Sequence, residues 1–422
     1  MGKKSFVSIA DTYFDRFPSL DNNLGSLANQ ELKLIVVIPS YDEPQLISSI
    51  NSLLSAANGV QFIIEVIVVV NHSKLSENKV VSQNLKSVKE LQEIPKCENF
   101  NVHWIYCPDM DPKHAGVGWA RKIGMDQALR RFAAINYDGL ICCFDADSKV
   151  DNNYFSSLWK AFENDSFNGA SIHFEHPLFG DEFDASIYKE IALYETHLRY
   201  YKNALSYCGF PYAFHTVGSS MVVKASAYAK QGGMNRRKAG EDFYFINKII
   251  ALGDYSEIYS TKVIPSPRVS DRVPFGTGRA IKESLAGDKD LSKTYDFEIF
   301  KIIKSWVNQV ISENTYDYYL FSTEMKSFIP EDQWNMKFGQ LKKNTSSITA
   351  FKHRFFQVFD AFWTLKCVHF LRDNYFSDSD LLTNSNKLFD EFEIDKALNI
   401  DVAISSFRNL DKKIGDLKGP HK

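Results

Sequence analysis

Apolar residues along the first third of the chain fall into short unbroken runs, each followed by a stretch with helical spacing. Leu32 to Ser40 (Leu-Lys-Leu-Ile-Val-Val-Ile-Pro-Ser) is a β-branched run closed by a proline, and Pro44 to Ala57 then places Leu46, Ile50, Leu53 and Leu54 on one helical face. Phe62 to Asn71 reads as a second strand, Ser76 to Glu93 as a polar helix, and Val102 to Tyr106 as a third, shorter strand. Trp119 to Ala134 follows as a helix with Ile123, Leu129 and Phe132 on its buried side, and a fourth strand runs from Gly139 to Asp145. Val150 to Phe162 has the composition of the next helix. Near-continuous apolar strands alternating with helices predict a parallel sheet covered on both faces. After Gly169 the alternation loosens into a strand to Phe174, a long helix over 184–205, a strand over 217–224, a helix over 242–252 and a strand over 255–264. From about Asp290 the pattern is helical throughout and rich in Phe, Tyr and Trp. The expected organisation is an N-terminal extension (1–31), an α/β domain (32–285) ending after the Gly/Pro-rich stretch Pro265 to Gly278, and a helical C-terminal region (286–422).

Composition narrows the classes. With 44% hydrophobic and 24% charged residues and a net charge of −3, the chain reads as globular, with no general affinity for nucleic acid or anionic membrane. No stretch approaches the roughly 20 apolar residues of a membrane span, and the basic N-terminus lacks a signal-peptide apolar core. The six cysteines show no zinc spacing, and Cys142 and Cys143 lie inside a buried strand, so a reduced, cytoplasmic protein is expected. The aromatic stripe from Phe351 to Leu371 is interrupted by Lys352, His353, Arg354 and Lys366, which favours core packing over membrane contact.

The candidate chemistry clusters where strands end. The fourth strand stops at Asp145-Ala-Asp147, and paired carboxylates at the carboxyl end of such a strand suit a hard cation together with substrate phosphates; a solvated loop is the plain alternative. The first strand ends Pro39-Ser40-Tyr41-Asp42-Glu43-Pro44, where a helix start by itself accounts for the acids and the proline. Gly116 and Gly118 precede Arg121 and Lys122, cations that are unfavourable in a first helical turn and so call for an anionic partner, unless both reach solvent. Lys113 and His114 sit beside them. Arg236-Arg237-Lys238 leads into Glu241-Asp242 at a helix start, where capping or general-base work would each explain the acids. The segment from Ser266 to Arg279 combines Arg268, Arg272 and Arg279 with Gly276, Gly278 and Phe275, the make-up of an ordered anion-binding loop. His173 and His176 are the one histidine pair of interest.

Taken in order, Val36 to Glu43, Ala115 to Lys122, Phe144 to Ser148, Gly232-Gly233-Met234 and Gly240-Glu241-Asp242 resemble the GT-A fold glycosyltransferases, particularly the family-2 type, over roughly residues 32–270. The resemblance implies a mostly parallel sheet flanked by helices and transfer of a sugar from a nucleotide-diphospho-sugar. Pro39, Tyr41, Glu43, Arg121 and Lys122 would border the nucleotide or its diphosphate. Asp145 and Asp147 would hold Mn²⁺ or Mg²⁺ on it, a Lewis-acid role. Asp242, with Glu241 beside it, would take the acceptor proton and give inversion. The sequence departs from the family at Asn71, where relatives often carry an acid that reads the base. It also lacks a histidine after Asp242, leaving Asp271 as the candidate third metal ligand. The arginine-bearing loop is not a general family feature, and Arg268 and Arg272 are expected on donor diphosphate or on a phosphorylated acceptor. The expected partners are a nucleotide-sugar donor and a carbohydrate or small phosphorylated acceptor. The competing readings are a nucleotidyltransferase of similar fold, which would carry a Gly-rich basic loop after strand one, a retaining glycosyltransferase, and a catalytically silent scaffold.

Overall fold

The computed structural model describes residues 5–18, 24–164, 167–272, 276–311 and 317–418. The chain divides into two compact units, one of 1–188, 216–282 and 415–422, the other of 189–215 and 283–414.

The first unit opens with α1 (Phe6–Arg16) and continues β1 (Leu32–Ser40), α2 (Leu46–Ala56), β2 (Ile63–Ser73), α3 (Asn78–Gln92), β3 (Phe100–Met110), α4 (Val117–Ala134) and β4 (Leu140–Cys143). Then come β5 (Lys149–Val150), α5 (Tyr154–Asn164), β6 (Gly169–Phe174), the start of α6 (Ala185–Tyr207), β7 (Met221–Lys224), α7 (Ala225–Lys230), α8 (Glu241–Ile250) and β8 (Tyr255–Ile264). One eight-stranded sheet results, in the order β3-β2-β1-β4-β7-β6-β8-β5. β3, β2, β1 and β4 run parallel, as the alternating pattern predicts, while β7 is antiparallel to both β4 and β6. This is the expected α/β class: a mostly parallel sheet flanked by helices, with a helical C-terminal region.

Most expected elements appear within a few residues of their predicted ends. β3 is longer than its apolar run because its polar end stays paired to β2 past a bulge, up to Ser73↔Met110. α5 starts four residues late, since Lys149 and Val150 pair with β8 instead. The strand expected over 217–224 is reduced to Met221–Lys224, because the chain turns at Val217–Ser220 to accommodate a buried guanidinium. A Cβ on Gly218 would lie 2.5 Å from Arg121 Nη1.

Packing of α4 on the sheet sets the position of everything that follows. Gly124 makes the approach possible, since a Cβ there would fall 2.4 Å from Val37 Cγ1. α4 is buried nearly all round, its charged residues included. Arg131 is held by Glu65 on β2, and Lys122 by Asp126 one turn on. Tyr13 of α1 donates to Asp126 at 2.7 Å, and Tyr228 of α7 donates to the same carboxylate oxygen at 2.6 Å, so the N-terminal helix is tied into the domain.

The second unit contains the rest of α6, the end of α9 (Thr277–Leu285), α10 (Phe297–Ile311), α11 (Thr323–Phe328), α12 (Glu331–Lys343), α13 (Ile348–Val358), α14 (Ala361–Asn374), α15 (Leu381–Glu391) and most of α16 (Ile400–Lys418). A small antiparallel pair, β9 (Lys293–Thr294) with β10 (Ser379–Asp380), interrupts the helices. Its core is aromatic: Trp306 packs against Trp334, Phe355, Phe359 and Trp363, as the Phe351–Leu371 stripe predicts. Beside it Asp411 of α16 is buried among Arg199, Lys202 and Asn203 of α6 and His215, with contacts of 2.5 to 3.0 Å. Among the described residues no helix is long and apolar enough to cross a membrane.

Candidate active site

β1 and β4 are neighbours, with β2 and β3 on one side and β7 on the other, so the loops after β1 and β4 diverge to opposite sides of the crevice at their carboxyl ends. Open α/β sheets bind ligands in that place. The loop after β1 carries Glu43, and the turn after β4 carries Asp145 and Asp147. That turn is fixed from below: Ser148 N donates to Asp145 O at 3.1 Å, and the buried Ser49 of α2 donates to Ala146 O at 2.9 Å. Alanine between the acids is buried while both carboxylates remain partly open.

The loop after β8 reaches across to these acids. Arg268 spans Glu43 with its fork and donates from Nε to Asp147 Oδ2 at 2.9 Å. Arg272 Nη1 donates to Glu43 Oε2 at 2.8 Å and to the Tyr41 carbonyl at 2.9 Å. The two arginines therefore clamp the loops after β1 and β4 together through Glu43 and Asp147. Burial, Asp145 and Glu43 push the Asp147 carboxyl up to about 7, with Arg272 opposing. Burial raises Glu43 as well, again against Arg272. Even with two guanidinium groups present, this carboxylate cluster lacks positive charge.

Behind it lies a second cluster. Arg121, 3% exposed, bridges Glu241 and Asp145. Burial works against the guanidinium's charge, and Asp145 and Glu241 more than offset it. Glu241, 2% exposed, is pushed up to about 7 by burial and by Asp242, with Arg121 opposing. Asp242 is partly exposed, and its Oδ1 accepts from Phe243 N at 2.7 Å. Burial raises its carboxyl and Arg121 again opposes. Gly240 starts α8 in the left-handed region at φ 68°, which turns Glu241 inward. Gly118 permits the contact between α4 and this loop, since a Cβ would lie 2.3 Å from Arg237 O and 3.1 Å from Glu241 Cβ.

Of the residues singled out from sequence, Glu43, Asp147, Arg268 and Arg272 form one contact group, with Tyr41 at its edge through its carbonyl, and Arg121, Asp145 and Glu241 form a second. The anionic partner that Arg121 calls for is a pair of protein carboxylates. Lys122 points away from this group into the Asp126–Tyr13 network. Asp271 is exposed and paired with Arg279 and Lys282, which hold its carboxyl below the usual range. Pro39 lies within β1 opposite Val69, and Asn71, buried near the end of β2, accepts from Asn84 Nδ2 at 3.0 Å. His173 contacts Glu175 at 2.9 Å. Phe275 lies outside the described residues. Sequence reasoning missed the Arg268–Glu43 fork, because nothing in either segment signals a partner more than 200 residues away.

Two observations bear on a divalent ion. Among the described residues no three His, Cys, Asp or Glu side chains form a metal cage; a hard ion takes one or two carboxylates and completes its shell with phosphate and water, so no cage is required. The raised carboxyl of Asp147 and the buried Ser40 Oγ, His72 Nδ1 and Ser148 Oγ, which have no hydrogen-bond partner among the described residues, give the strand ends capacity for a charged, polar ligand. Asp145 and Asp147 fit such an ion.

No protein-family profile matches the chain, and no curated protein matches it in sequence. Among solved structures it is similar to S. aureus TarS 1-349, at 14% identity and a TM-score of 0.37 over 70% of this chain and 78% of that one. The TarS 1-349 complex with UDP-GlcNAc gives 15% identity and a TM-score of 0.39 over 76% and 83%, and the UDP complex 14% and 0.36 over 70% and 78%. Scores below 0.5 are too loose to carry an assignment of fold or activity.

Proposed function

We propose that the chain is a glycosyltransferase that moves a sugar from a nucleotide-diphospho-sugar to an acceptor hydroxyl. The observation that carries this reading is the convergence of Glu43, Asp145 and Asp147 at the carboxyl ends of β1 and β4, with Arg121 linking Asp145 to Glu241 beside Asp242. Asp145 and Asp147 would hold Mn²⁺ or Mg²⁺, which when bound offsets charge on the leaving diphosphate. Arg268 and Arg272 already lie on Glu43 and Asp147 and carry forks that fit phosphate oxygens bidentately. In this account they compensate Glu43 and Asp147 in the free protein and turn to the diphosphate when donor binds.

Asp242 is the proposed base. Its carboxyl is raised by burial yet kept ionisable by Arg121, the balance a general base needs near neutral pH. The acceptor oxygen forms a bond to the anomeric carbon, the bond from that carbon to the diphosphate oxygen breaks, and the acceptor proton passes to Asp242. One such displacement inverts the anomeric centre. Glu241 is too buried to meet an acceptor, and its contact with Arg121 supports a positioning role.

The test is hydrolysis and transfer across a panel of nucleotide-sugars with Mn²⁺. Turnover of one donor, lost in Asp147→Ala and in Asp242→Asn, supports the reading. Release of pyrophosphate from a nucleoside triphosphate instead would favour a nucleotidyltransferase.

A further inference from the structure

The mechanism above leaves one group of charges unused. Arg236, Arg237 and Lys238 are exposed on the loop that leads into Glu241-Asp242, and Lys113 and His114 lie on the loop that leads into α4. The two loops are in contact: a Cβ on Gly116 would lie 3.0 Å from Lys238 Cα. Arg236 stacks over Trp119 at 3.7 Å, and His114 stacks on the same indole at 5.6 Å between ring centroids. Arg237 lies over the Tyr244 ring at 3.7 Å. The guanidinium groups are thus held by aromatic faces, which fix their positions without neutralising them. Among the described residues none of these side chains forms an ion pair with a carboxylate.

This concentration of positive charge stands out in a chain of net charge −3. α4 and α8 both begin here, after Gly116 and Gly240, and neither start is capped by a side chain of its cap residue. The helix N-termini add to the positive potential. The loop is also tied to the proposed base: Asn235 Nδ2 donates to Glu241 O at 3.2 Å, and Arg237 N donates to Asn235 Oδ1 at 3.2 Å. An anion bound here would lie on the chain segment that immediately precedes Asp242, on side chains other than the arginines that hold Glu43 and Asp147.

We propose that Lys113, His114, Arg236, Arg237 and Lys238 form an acceptor subsite for a phosphate ester, so that the acceptor is an alcohol carrying a phosphomonoester or phosphodiester. The inference rests on the proposed transferase reading and names the acceptor class for the same site. Anchoring the phosphate on this loop would present a nearby hydroxyl to Asp242. Charge neutralisation would also draw the acceptor in at a rate that falls with ionic strength.

The test uses the full chain and isothermal titration with glycerol 3-phosphate, a glycerophosphodiester and glycerol, at low and high salt. Glycerol 3-phosphate or the diester is expected to bind with a salt-dependent affinity and glycerol not at all; which ester binds more tightly distinguishes a small phosphorylated acceptor from a phosphodiester-linked one. The triple substitution Arg236→Ala, Arg237→Ala, Lys238→Ala is expected to weaken ester binding by about tenfold or more. Affinity for the nucleoside diphosphate should move less than about twofold, since the proposed donor contacts are Asp145, Asp147, Arg268 and Arg272 and none of them is changed. Arg236→Lys with Arg237→Lys should retain most of the ester affinity. Equal binding of ester and glycerol, or ester binding unchanged in the triple variant, would overturn the subsite. Failure of the wild type to bind any nucleoside diphosphate, with ester binding present, would instead count against the transferase reading.

Discussion

Replacing Arg121 with methionine separates electrostatics from packing at the centre of the site. The guanidinium is 3% exposed and neutralises Glu241, itself 2% exposed, together with the more open Asp145. Removing one member of a buried pair costs about 3–5 kcal/mol, because the partner is left charged and uncompensated. The Glu241 carboxyl stands at about 7 with Arg121 opposing its rise, whereas an unfolded glutamate titrates near about 4.3. A folded value above the unfolded one means that the native state holds the proton more tightly. Its contribution is therefore present at low pH and lost as pH rises through the folded value. Without Arg121 that value climbs further, so the loss extends to higher pH. The deficit of Arg121→Met relative to wild type should be about 3–5 kcal/mol at pH 8.5 and shrink to about 1–2 kcal/mol at pH 5.5, where Glu241 is protonated in both proteins. Hydrogen exchange of peptides from α4 and α8 reads this locally, whatever the helical unit does. A deficit that is equal at both pH values, or larger at pH 5.5, would refute the charge-balance account. Adding Glu241→Gln should recover most of the loss at pH 8.5.

Two further outcomes follow from other charge pairs. Arg268→Ala removes the fork on Glu43 and the contact with Asp147, so Mn²⁺ affinity in the absence of nucleotide, read from the free-Mn²⁺ paramagnetic signal, should rise by roughly tenfold; a fall would show that Arg268 helps to build the ion site. Asp411→Asn removes the carboxylate that Arg199, Lys202 and His215 share, leaving Glu195 on Arg199, and should destabilise the helical unit by about 3–5 kcal/mol in exchange of α16 peptides. Burial opposes the Asp411 charge, but Lys202, His215 and Arg199 hold the carboxyl well below its usual range, so this stabilisation is present above about pH 4 and fades as pH falls through the folded value. A cost under about 1 kcal/mol would sink that reading.

The sheet was legible in the sequence because its strands are buried on both faces and leave long apolar runs, as in Leu32–Ser40 and Ile63–Ser73. Short paired pieces such as Lys149–Val150 and Lys293–Thr294 carry no such run and were not legible. The N-terminal helix was equally hidden: Tyr13 is buried because of Asp126 and Tyr228, both more than 100 residues distant. At the site, residue types and order pointed to Asp145, Asp147, Glu241 and Asp242. Which cations face which acids depends on loop geometry, so the sequence could suggest that Arg121 needs an anion but not that the anions are Asp145 and Glu241. Lys122, its neighbour in sequence, faces Asp126 instead because adjacent helical positions point about 100° apart.

In the proposed transferase the acids after β4 would hold a divalent ion against a donor diphosphate. Isothermal titration of nucleoside diphosphates with and without Mn²⁺, in wild type and Asp147→Asn, decides this role. The account predicts that one nucleoside diphosphate binds at least about tenfold more tightly with Mn²⁺ and that the gain disappears in Asp147→Asn. Binding that ignores both the metal and the substitution would contradict it.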